Sequence, residues 1–216
     1  MLRRLLVVAV LALAAACSSG GGGAELPAGP DLMKKAAEAM KAVKSAGFSI
    51  TTEGKPNLPI TKADGRLTAG GDADGTLTLN ILGSLQEVSF TLVGETVHFK
   101  GPTGGFQKMS KQQLAQYYDP SAILAPAKGI AHLLASATDP KVEAAESGSY
   151  RVAATLPADV IAPIVPGVTQ GVNAKVWLDQ ATSRLTKASL PLQGGTVTVS
   201  FSDYDAPVTI TPPAAG

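Results

Sequence analysis

The 216-residue chain holds one cysteine, two histidines and one tryptophan. A lone cysteine cannot close an internal disulfide, so it needs another use. The two histidines, His98 and His132, show no His-x-x-x-His spacing and no cysteine lies near either. A zinc or other transition-metal site therefore has no ligand set. A Gly-x-Ser-x-Gly elbow is absent, as are a phosphate loop and a dinucleotide fingerprint. Asp72 and Asp74 stand close together but read as hairpin residues, not as a calcium loop. Glu143 and Glu146 read as solvated strand-end charges. Basic excess is missing too, with 18 Lys+Arg against 17 Asp+Glu, so the chain lacks the field that nucleic acid binding requires. With only five Phe, the core must be built from small and aliphatic side chains. These absences argue against an enzyme, a metal and a cofactor, and they point to a function carried by physical contact.

The N-terminus is informative. Arg3 and Arg4 precede an apolar stretch from Leu5 to Ala16 that is too short to span a bilayer, which takes ~20 apolar residues. Ala14, Ala15 and Ala16 then abut Cys17. This is the layout of a bacterial lipobox, with Ala14 where Leu is usual. The expected organisation is a signal peptide over residues 1–16, an acylated Cys17 with a Gly-rich tether over 17–29, and a single domain over 30–216. The tether cannot bury enough apolar area to offset its ordering entropy. No second apolar segment is long enough to cross a membrane.

Downstream, Pro30-Asp31 predicts a helix start with Asp31 as N-cap, and Gly47 its end. Leu32, Ala36, Met40 and Val43 recur on one face of that helix. Its lysines suit either a solvated surface or contact with anionic lipid. From Phe48 the period becomes two. Residues 76–81, 87–92 and 96–100 alternate, with turns expected at Asp64-Gly65, Asp74-Gly75 and Gly94-Glu95. Residues 110–137 read as helix, capped at Asp119 and divided near Pro126. Strands return at 141–146, 150–156, 174–179, 184–190 and 196–201. The apolar, proline-broken segment 157–171 is expected to be a helical turn and a loop, either covering a site or packed on the core. The end "VTITPPAAG" reads as a short strand and a tail. An antiparallel sheet with one apolar face needs a cover, and small side chains in that cover can leave an apolar cavity. A closed core with function in surface contacts is the alternative that periodicity leaves open. A lipid-modifying enzyme, with a site assembled from distant residues, is a further one.

The stretches "CSSGGGG", "MKAVKSAGFSITTEGKPNLP", "YYDPSAILAPAKGIAHLLASATDPK", "AKVWLDQATSRLTKASL" and "VTITPP" resemble the LppX/LprA/LprF/LprG lipoproteins of mycobacteria and related actinobacteria. The resemblance implies an α+β fold: a strongly curved antiparallel half-barrel with helices on its concave face enclosing an apolar cavity, similar in outline to LolA and LolB. It implies binding of multi-acylated lipids or glycolipids, such as triacylglycerol, phosphatidylinositol mannosides or lipoglycans, during their transport across the cell envelope. A major-facilitator-type transporter would be a partner, and the outer leaflet of the cell membrane the location. It carries over no catalytic motif, and Cys17 is the one chemical site it matches. The expected cavity wall is Leu77, Leu79, Ile81, Val88, Phe90, Leu92, Val97 and Phe99 on the sheet. Ile123, Leu124, Ile130, Leu133 and Leu134 would form the cover, and Val160, Ile161 and Ile164 the entrance.

Replacing Cys17 with Ser is expected to move the chain from membrane to soluble fractions, read by fractionation and intact mass. An unmodified Cys17 in membrane-bound protein would overturn the lipobox reading.

Overall fold

Two antiparallel meanders, joined edge to edge by the first strand and the last, make one eleven-stranded sheet among the described residues. The computed structural model describes residues 25–214 except 57, 59, 82, 116–119, 166 and 167. Cys17 and Asp119 lie outside the described residues. The first meander runs β1 (Ser45–Gly54), β2 (Ile60–Thr68), β3 (Ala73–Ile81), β4 (Ser84–Val93), β5 (Thr96–Lys100) and β6 (Gln107–Ser110). The second runs β7 (Thr138–Glu146), β8 (Ser149–Leu156), β9 (Val172–Asp179), β10 (Leu185–Leu192) and β11 (Gly195–Ser202). Strand order is β6-β5-β4-β3-β2-β1-β11-β10-β9-β8-β7, so β6 and β7 are the two free edges of a curved, unclosed sheet.

The helices are few: α1 (Gly29–Lys41), α2 (Lys111–Ala115), α3 (Ile130–Ser136) and α4 (Ala158–Ile161), with a 3-10 turn at Pro120–Ala122. In α1, Leu32, Met33, Ala36, Ala37 and Met40 are buried on one side, the spacing of an amphipathic helix laid on a sheet. Asp31 does not cap it. Ala28 is the N-cap and makes no side-chain cap bond, while Asp31 sits inside the first turn, where its charge still suits the positive helix end. Nor does Gly47 end it. The helix stops at Lys41, and the backbone N–H of Lys44 donates to Asp205 Oδ1 at 2.8 Å, turning the chain into β1. Gly47 pairs with Ser202 inside the sheet.

Two further expectations change. Residues 110–137, expected as helix divided near Pro126, are divided there but hold less helix than expected: α2, the 3-10 turn and α3, with Pro126 in the irregular stretch before α3. Pro126, together with the Gly129 backbone pressed against Ala122 and Ile123, keeps the segment from running as one rod. The tail over 207–211 forms no strand, although Ile210 is buried.

The Asp-Gly pairs at 64–65 and 74–75 are not turns. They face each other in mid-sheet, Gly65 opposite Gly75. On the convex side the pairing is strapped by Arg66, whose guanidinium bonds Asp74 through both carboxylate oxygens, and by Thr76 Oγ1 donating to Asp64 Oδ2 at 2.9 Å. On the concave side neither position has room for a side chain. A Cβ on Gly65 would stand 2.9 Å from the Gly75 Cα and closer still to the Asp74 carbonyl oxygen. Complementary partners across two strands outweigh the local turn preference of Asp-Gly.

Directly paired residues share a face, and two rows cross the concave side. One reads Phe201–Phe48–Gly65–Gly75–Phe90–Phe99. The next reads Val142–Val152–Val176–Ala188–Val199–Ile50–Ala63–Leu77–Val88 and is apolar across nine strands.

Gly75→Val is expected to cost 1–3 kcal/mol or more, the usual range for forced overpacking, read as a lowered urea midpoint. Gly101→Val, where nothing lies within 4 Å of the added Cβ, should stay within about 0.5 kcal/mol of the parent.

Candidate functional site

The sheet has two rims. Ser45, Thr68, Ala73, Val93, Thr96, Ser149, Asp179, Leu185 and Ser202 mark one, and Gly54, Ile60, Ile81, Ser84, Lys100, Leu156, Val172 and Gly195 mark the other. In the C-terminal half both ends of the concave face are filled. Val152, Val176, Leu178 and Leu185 pack with α1 and α3 in the main core. Leu156, Val172, Leu190 and Val197 pack with α4 and Val168 in a second cluster.

The N-terminal half differs from one rim to the other. At the first rim Ala46, Leu67, Ala73, Leu92 and Val97 are buried in the main core. Toward the second rim the same face loses its cover. Leu77, Leu79, Val88, Phe90 and Phe99 are only half-buried, and Ile81 is 51% exposed. These side chains, with Ile50 and Ala63 between them and the packed half, form an apolar trough that opens at the second rim. An isolated exposed apolar side chain means little, but several contiguous ones on the core-facing side of a sheet mark a surface that binds something.

The residues expected to line a cavity thus divide into two groups. Leu77, Leu79, Ile81, Val88, Phe90 and Phe99 lie along the trough. Leu92, Val97, Ile123, Leu124, Ile130 and Leu134 are buried in the main core. Leu133, Val160 and Ile161 are buried in the second cluster, with half-buried Ile164 packed against it. The 157–171 segment packs on the core: Ile161 is fully buried and Val168 nearly so. Alternation along the strands identified the concave face but left out Ile50 of β1 and Ala63 of β2, the latter in a strand that carries Gly65 and a β-bulge beside Ile60. The signal for them was their cross-strand pairing with Val199 and Leu77, which one strand read alone does not contain.

A recess of about 280 Å³ between α1, α3 and β7, with Lys34 and Glu38 in its lining, falls below the ~300–1,000 Å³ of ordinary ligand pockets. It does not touch the trough.

Titratable groups with displaced pKa values lie off the trough as well. The Lys175 ammonium, with Arg151, holds Glu143 below the ordinary carboxylate range. The Thr182 hydroxyl and backbone N–H do the same for Asp179. The Lys44 backbone N–H and then Arg184 do so for Asp205. Burial raises Tyr204, whose hydroxyl donates to the Leu185 carbonyl. Glu143 and Glu146 are therefore not free strand-end charges. Glu146 accepts from Arg151 and from Trp177 Nε1, and Lys187 stands 3.7 Å from the centroid of the Trp177 ring. Asp179 closes the β9–β10 turn by accepting from Ala181 and Thr182. The "VWLDQ" stretch thus performs structural duties. His98 is buried on β5, with no partner for Nδ1. His132 is exposed on α3. Among the described residues no group of three or more His, Cys, Asp or Glu is arranged to hold a metal ion, and no helix is long and apolar enough to cross a membrane.

The fold has solved counterparts. The crystal structure of LprF from Mycobacterium bovis superimposes with a TM-score of 0.77 at 22% identity, covering 87% of this chain and 97% of that one. The Mycobacterium tuberculosis lipoprotein LppX superimposes with a TM-score of 0.63 at 23% identity, covering 85% and 100%. In sequence, the "Lipoarabinomannan carrier protein LprG" of Mycolicibacterium smegmatis is 31% identical over 203 residues, covering 89% of this chain and 86% of the relative. The LprG of Mycobacteroides abscessus is 31% identical over 201 residues, covering 88% and 86%. The profile of the LppX_LprAFG lipoproteins matches residues 28–210, from the start of α1 through the last strand and its tail, and over that span this chain belongs to the LppX_LprAFG lipoprotein family.

Proposed function

We propose that this chain is a lipid carrier that holds acyl chains along the open trough between β2 and β5. The observation that carries the reading is the loss of cover along a face otherwise packed as core. Leu77, Leu79, Val88, Phe90 and Phe99 share their side of the sheet with Leu67 and Leu92, yet remain partly exposed. The mechanism is desolvation. Each methylene removed from water contributes about 0.8 kcal/mol, so the free energy of binding grows with the length and number of chains laid in the trough. The headgroup stays outside, where the trough opens. No bond is made or broken, and the ligand leaves by the path it entered.

The relatives named as lipoarabinomannan carriers favour a multi-acylated lipid or glycolipid as cargo, of the kind found in triacylglycerol, phosphatidylinositol mannosides or lipoglycans. The small-residue run before Cys17 supports acylation there, on the outer leaflet of the cell membrane, with residues 18–28 as the tether. A transporter of the major facilitator class would deliver or receive the cargo.

Leu77 provides the test, because it sits between Ala63 and Val88 in the apolar row and is half-buried. Leu77→Trp should leave the unfolding midpoint near that of the parent while lowering acyl-chain content in native mass spectra and transfer of a fluorescent lipid. Leu134→Trp, in the packed core at 1% exposure, should instead cost roughly 1–3 kcal/mol of stability. A Leu77→Trp chain that melts several degrees lower yet transfers lipid normally per folded molecule would remove the trough from the binding site.

A further inference from the structure

We propose that the rim at which the trough opens is a docking face for an anionic bilayer surface, so that the trough is presented mouth-down to the membrane. This rests on the carrier reading for what the trough holds and on an acylated Cys17 for the tether.

Four large hydrophobic side chains stand exposed among the described residues: Leu26 at 39%, Ile81 at 51%, Leu85 at 66% and Phe106 at 42%. All four are at the same rim. Ile81 and Leu85 flank the β3–β4 turn, and Phe106 ends the β5–β6 loop. Leu26 precedes α1, whose Gly29 packs against the Pro140 carbonyl near the start of β7, and β7 starts from that rim. Single exposed apolar residues are ordinary, but their confinement to one rim is not expected of a surface that meets only water.

Around the trough mouth the charges run in the matching sense. The loops 54–59, 82–83 and 101–106 carry one lysine and no acidic residue, while Asp139 and Asp159 lie in the C-terminal half of this rim. Phe106 is further flanked by Lys100, whose Nζ is 5.9 Å from the ring centroid, and by Lys108. From residue 96 to 110 there is no carboxylate. At the opposite rim the connecting segments carry Asp72, Glu95, Asp203 and Asp205 beside Lys44 and Arg184, of which Arg184 is paired with Asp205. Apolar tips that enter the interface, next to lysines that meet anionic headgroups, are the two components of interfacial membrane binding.

The path of the chain agrees. Helix α1 begins at this rim and ends at the other, where Ser45 opens β1. The chain N-terminal to α1 therefore enters the domain at the rim on which the trough opens, at its β7 end. With Cys17 as the anchor, this rim, not the opposite one, is the nearer in the chain to the anchoring surface.

Leu85 allows a test that cargo cannot confuse. It is paired with Asn80 and so faces the convex side, away from the trough. The full lipidated chain carrying Leu85→Trp is placed on vesicles of phosphatidylglycerol and phosphatidylcholine with brominated acyl chains. The added emission should be largely quenched. The native Trp177, on β9 toward the opposite rim, should keep its emission. Lys100→Glu combined with Lys108→Glu should restore much of the Leu85→Trp emission without changing the acyl chains found by native mass spectrometry. Unquenched Leu85→Trp, equal quenching of Trp177, or indifference to the charge reversal would each overturn docking of this rim on an anionic surface. Quenching at Leu85→Trp with no acyl chain bound in the native protein would support the docking face while removing the carrier reading. Acyl chains bound without quenching would do the reverse.

Discussion

The antiparallel pairing of the first strand with the last, from Gly47 opposite Ser202 to Gly54 opposite Gly195, is the contact on which the rest depends. Each meander forms largely from neighbours in sequence. Only this ladder, between segments more than 140 residues apart in the chain, fuses them into one sheet. Without it the apolar row that runs from Val142 to Val88 is two short stripes, and the helices lying on one half have no concave floor to share with the other. The pairing is also the most costly in chain entropy, since so long a loop must close before it forms. Asp205 contributes there by accepting from the Lys44 backbone N–H and from Arg184, beside the point where both strands meet.

Once fused, the sheet has more apolar concave surface than the chain has helix to place on it. The four helices among the described residues hold 13, 5, 7 and 4 residues. Alanine at positions 36, 37 and 131 lets α1 and α3 approach closely, which fills the C-terminal half at near-crystalline density and leaves nothing for the far side of β2 to β5. The trough is the remainder of that mismatch. The paired glycines sharpen it: a gap in the row of phenylalanines between Phe48 and Phe90 lowers the floor where the packed and open regions meet.

Much of this was legible in the sequence. Alternation gave the strands β3, β4, β5 and β7 through β11, and for β3, β4 and β5 the side turned inward, while helical spacing gave the buried face of α1. The Asp-Gly pairs misled because their turn preference is local, while Arg66 with Asp74 and Thr76 with Asp64 are partners only across two strands. In residues 110–137 Pro126 signalled the break, but apolar content at helical spacing suggested longer helices on either side of it than α2 and α3. The sharper limit concerns the site. Leu77 and Leu92 look alike in an alternating strand, and both face the core side. One is half-open and the other fully buried because of what lies above them, and that cover comes from α1 and the 120–134 segment. Period reports the face of a residue and is silent about the depth of the layer over it.

The two free edges, β6 and β7, are consecutive in the chain, so residues 111–137 run from one margin of the curved sheet to the other. The half-barrel is in this sense a bow strung by its own backbone. Its gape is limited by a cord of fixed contour length, whose far portion is pinned where Ile123, Leu124, Ile130 and Leu134 are embedded in the main core. The portion nearer β6 is held more lightly: α2 buries no residue fully, and Leu114 alone of its side chains packs against the same core. For a carrier of the proposed kind, such a string sets the span between the limbs from within the chain itself.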